Sequence, residues 1–136
     1  VVWFGSNVVK DSERRAGLLD TKLYRRDELF DVDFSMSKAE KLDTGESLMD
    51  HAMVITGVDL VDGKPTKWKI ENSWGEKAGF KGYFVMSDDW FNSFVYQAVI
   101  NKKFLSDELK QTFEDGSKNP IQLLPWDPMG ALAMEF

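Results

Sequence analysis

The chain has 136 residues, 43% of them hydrophobic and 13% aromatic, and a formal net charge of −6. That length allows at most one ordinary domain, and the composition is globular. The acidic balance and scattered basic residues disfavour nucleic acid or an anionic membrane as partner, the lack of cysteine excludes a disulfide framework or thiolate nucleophile within these residues, and no apolar run approaches the ~20 residues of a membrane span.

In chain order, Val1 to Phe4 read as a buried strand ending at Gly5, which Val8-Val9 continue after a kink. Because the chain opens on what reads as the interior of a strand and without an initiator methionine, the expectation is a fragment whose beginning lies upstream. From Asp11 to Arg26 the charged composition predicts loop and a short helix, with Asp11 or Ser12 as N-cap and Leu18-Leu19 as an apolar anchor. The arginine pairs Arg14-Arg15 and Arg25-Arg26 read as a solvated face and not an anion site. Asp27 to Ser35 places Leu29, Phe30, Val32 and Phe34 in no clean period. Ser37-Lys38-Ala39-Glu40 has the S-x-x-E form of a capping box and predicts a short helix that stops by Gly45.

The next stretch organises the chain. His51 to Val58 alternates with period two, Lys67 to Asn72 sets Trp68, Ile70 and Asn72 on one face against lysines and Glu71 on the other, and Asp62-Gly63 between them is a strong turn signal. These features predict a β-hairpin. With Asp62 and Gly63 at the turn, opposed residues have numbers summing to 125, so His51 faces Trp74 and Met53 faces Asn72. His51 and Asn72 are then diagonal neighbours on one sheet face, roughly 7–8 Å apart at the backbone, within reach of a side-chain hydrogen bond. Trp74 lies beside them as a cover.

Beyond Gly75, Glu76 to Gly82 reads as a loop and Tyr83 to Met86 as a third strand returning along the hairpin. Ser87-Asp88-Asp89 punctuates, Trp90 to Phe94 is aromatic-rich, and Val95 to Leu105 reads as another strand. Ser106-Asp107-Glu108 caps a helix expected to run to Phe113 or Glu114 and to end at Gly116. Asn119 to Phe136 contains three prolines and should be extended and irregular, yet it is apolar enough to lie against another surface.

The sequence holds a single histidine. A lone His beside an amide is compatible with an ordinary packed residue, so chemistry is not forced by the hairpin alone. No ligand cluster has zinc-like spacing and no calcium-loop pattern occurs, so no metal and no cofactor is expected. Ser73 alternates to the face opposite Asn72, which argues against a Ser–His nucleophile pair.

Asp50-His51-Ala52, then Glu71-Asn72-Ser73-Trp74-Gly75, then Gly82-Tyr83-Phe84 resemble the histidine and asparagine blocks of papain-like cysteine peptidases. Trp3-Phe4-Gly5, Gly45 to Met49, Met53 to Val58 and Trp126-Asp127-Pro128-Met129-Gly130-Ala131-Leu132-Ala133 resemble one branch, that of bleomycin hydrolase and bacterial aminopeptidase C, over nearly the whole length. The resemblance implies an α+β papain-like fold, of which this chain supplies the antiparallel-sheet half with short helices. It also implies a division into a sheet-bearing part, residues 1–118, and a C-terminal arm, residues 119–136. His51 would be base and acid, Asn72 its orienter, and Trp74, Asp50 and Ala52 supporting residues. The nucleophilic cysteine would belong to the missing N-terminal part. Met129, Gly130, Ala131, Leu132 and Ala133 match an arm that lies in the active-site cleft and restricts cleavage to N-terminal residues. The chain departs from the pattern in adding Met134-Glu135-Phe136. The implied protein is a cytoplasmic, homo-hexameric cysteine aminopeptidase acting on peptide substrates, and this chain alone would be inactive. The rival reading is a non-catalytic β-rich peptide-binding or structural module that keeps the hairpin without a nucleophile.

Overall fold

Residues 1–129 are described by the computed structural model, in the order β1 (Val2–Ser6), β2 (Ser12–Glu13), β3 (Leu18–Leu19), α1 (Arg26–Phe30), α2 (Lys38–Asp43), β4 (His51–Val61), β5 (Lys64–Glu71), β6 (Tyr83–Ser87), α3 (Asp88–Phe94), β7 (Val95–Val99), a 3-10 turn (Lys102–Phe104) and α4 (Asp107–Lys118). The strands form one seven-stranded sheet in the order β2-β3-β6-β5-β4-β1-β7. Neighbouring strands are antiparallel except β3 and β6, which run parallel, so the expected antiparallel sheet is in fact mixed.

The β4–β5 hairpin forms as its turn chemistry requires. Asp62 and Gly63 both take positive φ, 50° and 75°, the pair of left-handed residues a type I′ turn needs to match strand twist. Both strands run closer to the turn than the sequence suggested. Val54 faces Glu71 and Ile55 faces Ile70, the expected register, whereas Val58 faces Trp68 after a bulge and Leu60 faces Pro65 after a second one restores it. Two compensating bulges change the local twist but leave the His51 end in the register the sequence set.

One sheet face carries the core. Phe4, Met53, Ile70, Phe84 and Met86 are buried there against Trp90 and Phe94 of α3. Ser87 caps that helix by accepting the Trp90 N–H, and the fully buried Trp90 donates its indole N–H to the Lys10 carbonyl at 2.8 Å. Truncating so large a ring costs about 3–5 kcal/mol in a well-packed core, so α3 is a principal anchor of the sheet.

Several expectations change. Val8-Val9 lies in a turn outside β1, because Val8 turns inward with its N–H held by the Asp50 carboxylate. The stretch Asp11 to Arg26 forms β2 and β3, and helix begins only at Arg26. Trp90 to Phe94 is helical, and β7 stops at Val99, where Asn101 caps the 3-10 turn through the Lys103 N–H. Helix α4 runs through Gly116 to Lys118, since the glycine's cost of about 1 kcal/mol is offset there by Ser117 Oγ–H donating to the Phe113 carbonyl and by the Asn119 N–H closing on Asp115. The capping box at Ser37 and Glu40 forms as read. From Pro120 the chain is irregular, with a turn closed by the Asp127 N–H on the Leu124 carbonyl.

Candidate active site

His51 opens β4 and Asn72 follows directly on β5, so the hairpin's own register delivers the two side chains to one end of one sheet face. His51 Nε2 lies 2.9 Å from Asn72 Oδ1. The orientation of the amide is fixed by a second donor, the Ser73 N–H at 2.8 Å from the same oxygen. An oxygen facing two donors can only accept, so Nε2 carries the proton and donates it. The neutral ring therefore keeps its lone pair on Nδ1, which is left free to take a proton.

The backbone around the pair is tied down on both sides. The Asn72 N–H bonds the Gly82 carbonyl at 3.0 Å, and β1 backs His51, with Ser6 directly opposite it and the Asp50 N–H on the Ser6 carbonyl. Asn72 is buried, and its Nδ2 has no partner among the described residues. Trp74 packs its indole 5.0 Å from the imidazole at 33°, and edge-on against Phe84 at 5.7 Å. The half-buried ring lies over one side of the His–Asn pair. Arg14 lies over the same indole, 4.6 Å from its centroid.

Asp50 borders the pair. Its carboxylate accepts the Val8 N–H at 2.9 Å. Desolvation pushes its carboxyl above the ordinary carboxylate range, with the Val8 N–H and the nearby His51 acting the other way. Below the loop preceding His51 lies a buried polar cluster that sequence reasoning missed, in which Ser47 Oγ accepts Asn7 Nδ2–H at 3.1 Å and Tyr96 O–H at 2.6 Å. Its members lie 40 and 49 positions apart, so no local pattern signals them.

The structure thus brings His51, Asn72 and Trp74 together with Asp50 at their edge. Ala52 alternates to the other side of β4 and is exposed. Ser73 contributes its backbone N–H and points its side chain to solvent, as the alternation required. Met129 closes the described chain with its N–H on the Asp127 carboxylate. Gly130 to Ala133 lie outside the described residues.

A hydrogen-bonded imidazole and amide can hold and move a proton for a nucleophile placed beside them. The sequence has no cysteine to serve this pair as a thiolate nucleophile. Known proteins supply that context. The profile of the peptidase C1-like family matches residues 1–130. The chain is 82% identical over its full length to Aminopeptidase C of Lactobacillus helveticus, covering 30% of that protein. It is 72% identical, with the same coverage, to Aminopeptidase C of Lactobacillus delbrueckii subsp. lactis. The crystal structure of PepW from Lactobacillus rhamnosis superposes with a TM-score of 0.90 and 64% identity over 95% of this chain and 29% of that one. The chain accordingly spans about 30% of the length of the curated relatives it matches. The α+β papain-like fold expected from the sequence is the fold observed, and the chain belongs to the peptidase C1-like family.

Proposed function

We propose that this chain supplies the proton-transfer half of a cysteine aminopeptidase, His51 as base and acid and Asn72 as its orienter. The observation that carries this reading is the 2.9 Å contact of His51 Nε2 with Asn72 Oδ1, which leaves Nδ1 as the free basic nitrogen. The names of the relatives, Aminopeptidase C, support the substrate class.

A cysteine of the remaining polypeptide passes its S–H proton to Nδ1, and the thiolate forms an S–C bond with the peptide carbonyl carbon. The imidazolium returns the proton to the leaving amine as the C–N bond breaks. Water, deprotonated by the same nitrogen, then displaces the sulfur from the acyl group. Asn72 holds the ring in one tautomer through both transfers without adding a charge. Residues 129–133 form the arm that limits cleavage to the free N-terminus, and the working protein is a cytoplasmic homo-hexamer that needs no cofactor.

The test is His51→Ala in the full-length protein. Hydrolysis of an aminoacyl anilide should fall to background with the fold retained by circular dichroism. Substantial residual turnover would sink the assignment, and no hydrolysis by the wild-type protein would favour the non-catalytic module.

A further inference from the structure

Arg14 and Arg15 read from the sequence as a solvated face, and both are exposed. Arg14 nevertheless packs against an aromatic ring. Glu13 tightens the turn after β2 by accepting the Arg15 and Ala16 N–H groups, and Gly17 closes it on the Glu13 carbonyl at 2.9 Å. The turn then docks on the loop before β6, with the Gly79 N–H on the Arg14 carbonyl at 3.0 Å. That approach depends on two glycines with positive φ, 73° at Gly17 and 59° at Gly79. A Cβ on Gly17 would stand 2.7 Å from Gly79 Cα, and one on Gly79 would stand 2.4 Å from the Tyr83 carbonyl oxygen. The docked turn sets the Arg14 guanidinium 4.6 Å from the centroid of Trp74, whose ring lies 5.0 Å from His51. Among the described residues Arg14 has no carboxylate partner.

We propose that Arg14 is a positioning residue for the His51–Asn72 pair, acting through Trp74. The inference rests on the proton-transfer role given above to His51. A planar guanidinium is charged at every working pH and stacks on an aromatic face, so it holds the indole where it covers the hydrogen bond. An indole without that clamp swings more freely and admits water to the Nε2–H···Oδ1 contact. The imidazole then loses its fixed orientation during proton transfer, which lowers turnover without weakening substrate binding.

The experiment is a double-mutant cycle in the full-length protein with Arg14→Met, Arg14→Lys, Trp74→Ala and the pair Arg14→Met with Trp74→Ala, scored by kcat, KM and melting temperature on an aminoacyl anilide. Arg14→Met should lower kcat about two- to five-fold, the range of a cation–π contact at an exposed site, with KM and melting temperature unchanged. Arg14→Lys should recover part of that loss. In the Trp74→Ala background, Arg14→Met should cause no further fall, because its route to His51 is gone. If Trp74→Ala lowers the melting temperature, Asn72→Ala serves as the background, since it removes the bond the ring protects. An equal fall in both backgrounds, a rise in KM in place of the fall in kcat, or no effect at all overturns the inference. Wild type and His51→Ala run alongside: no hydrolysis by wild type overturns this inference together with the proposed function, whereas activity lost in His51→Ala and untouched by Arg14→Met overturns this inference alone.

Discussion

Asn72 does two jobs with one atom. Its Oδ1 accepts from His51 Nε2–H and from the Ser73 N–H, so the backbone fixes the amide and the amide fixes the ring. When the imidazole takes a proton, that contact becomes a hydrogen bond from a charged donor, worth about 1.5–3 kcal/mol. Asn72→Ala should therefore lower kcat about 10- to 150-fold by the same energy, measured on the full-length protein with an aminoacyl anilide. His51→Ala removes the proton carrier itself and should leave nothing measurable. Equal losses from the two substitutions would mean that the amide does more than orient the ring. The pair was legible in the sequence because everything that defines it is local: an Asp-Gly turn, a period of two and a register counted outward from the turn. Arg14 was not, because what places it is a contact between two glycines, Gly17 and Gly79, far apart in the chain.

At the scale of elements the same division holds. The hairpin, the capping box at Ser37 and Glu40 and the return strand β6 carry their signals in consecutive residues, and all three formed. Strands β2 and β3 have two residues each and exist only because β3 finds β6, with the Val85 N–H on the Gly17 carbonyl at 2.8 Å. Helix α3 hid behind an aromatic run whose N-cap, Ser87, also ends a strand. Gly79 makes the non-local contribution testable. An alanine there must adopt a left-handed backbone, about 1–2 kcal/mol, and push its methyl against the Tyr83 carbonyl, a further ~1–3 kcal/mol of overpacking. Gly79→Ala should accordingly destabilise the protein by roughly 2–5 kcal/mol, seen as a lower denaturation midpoint of the full-length polypeptide. A midpoint equal to that of wild type would show that the two turns part readily, and the clamp on Trp74 would then lack its foundation.

At the scale of the molecule, the described chain leaves large apolar side chains exposed along its length, Val1 at 95%, Leu29 at 77% and Phe80 at 75% among them. In the tail, Ile121 is 89% and Trp126 73% exposed, although a tail of this composition is too apolar to favour water. The chain spans about 30% of the length of its relatives, and on the proposed reading Ile121 and Trp126 belong to the base of the arm. An arm that fills the far subsites admits only the free end of a peptide, and its removal opens the cleft to the middle of a chain without altering the His51–Asn72 pair. Truncation before Met129 in the full-length protein should shift cleavage from N-terminal trimming to internal bonds. The check is mass spectrometry of the products of an N-terminally blocked peptide, which the intact protein should leave uncut and the truncated one should cleave. A truncated protein that still trims free N-termini and ignores the blocked peptide would separate the arm from specificity while leaving the proton-transfer assignment standing.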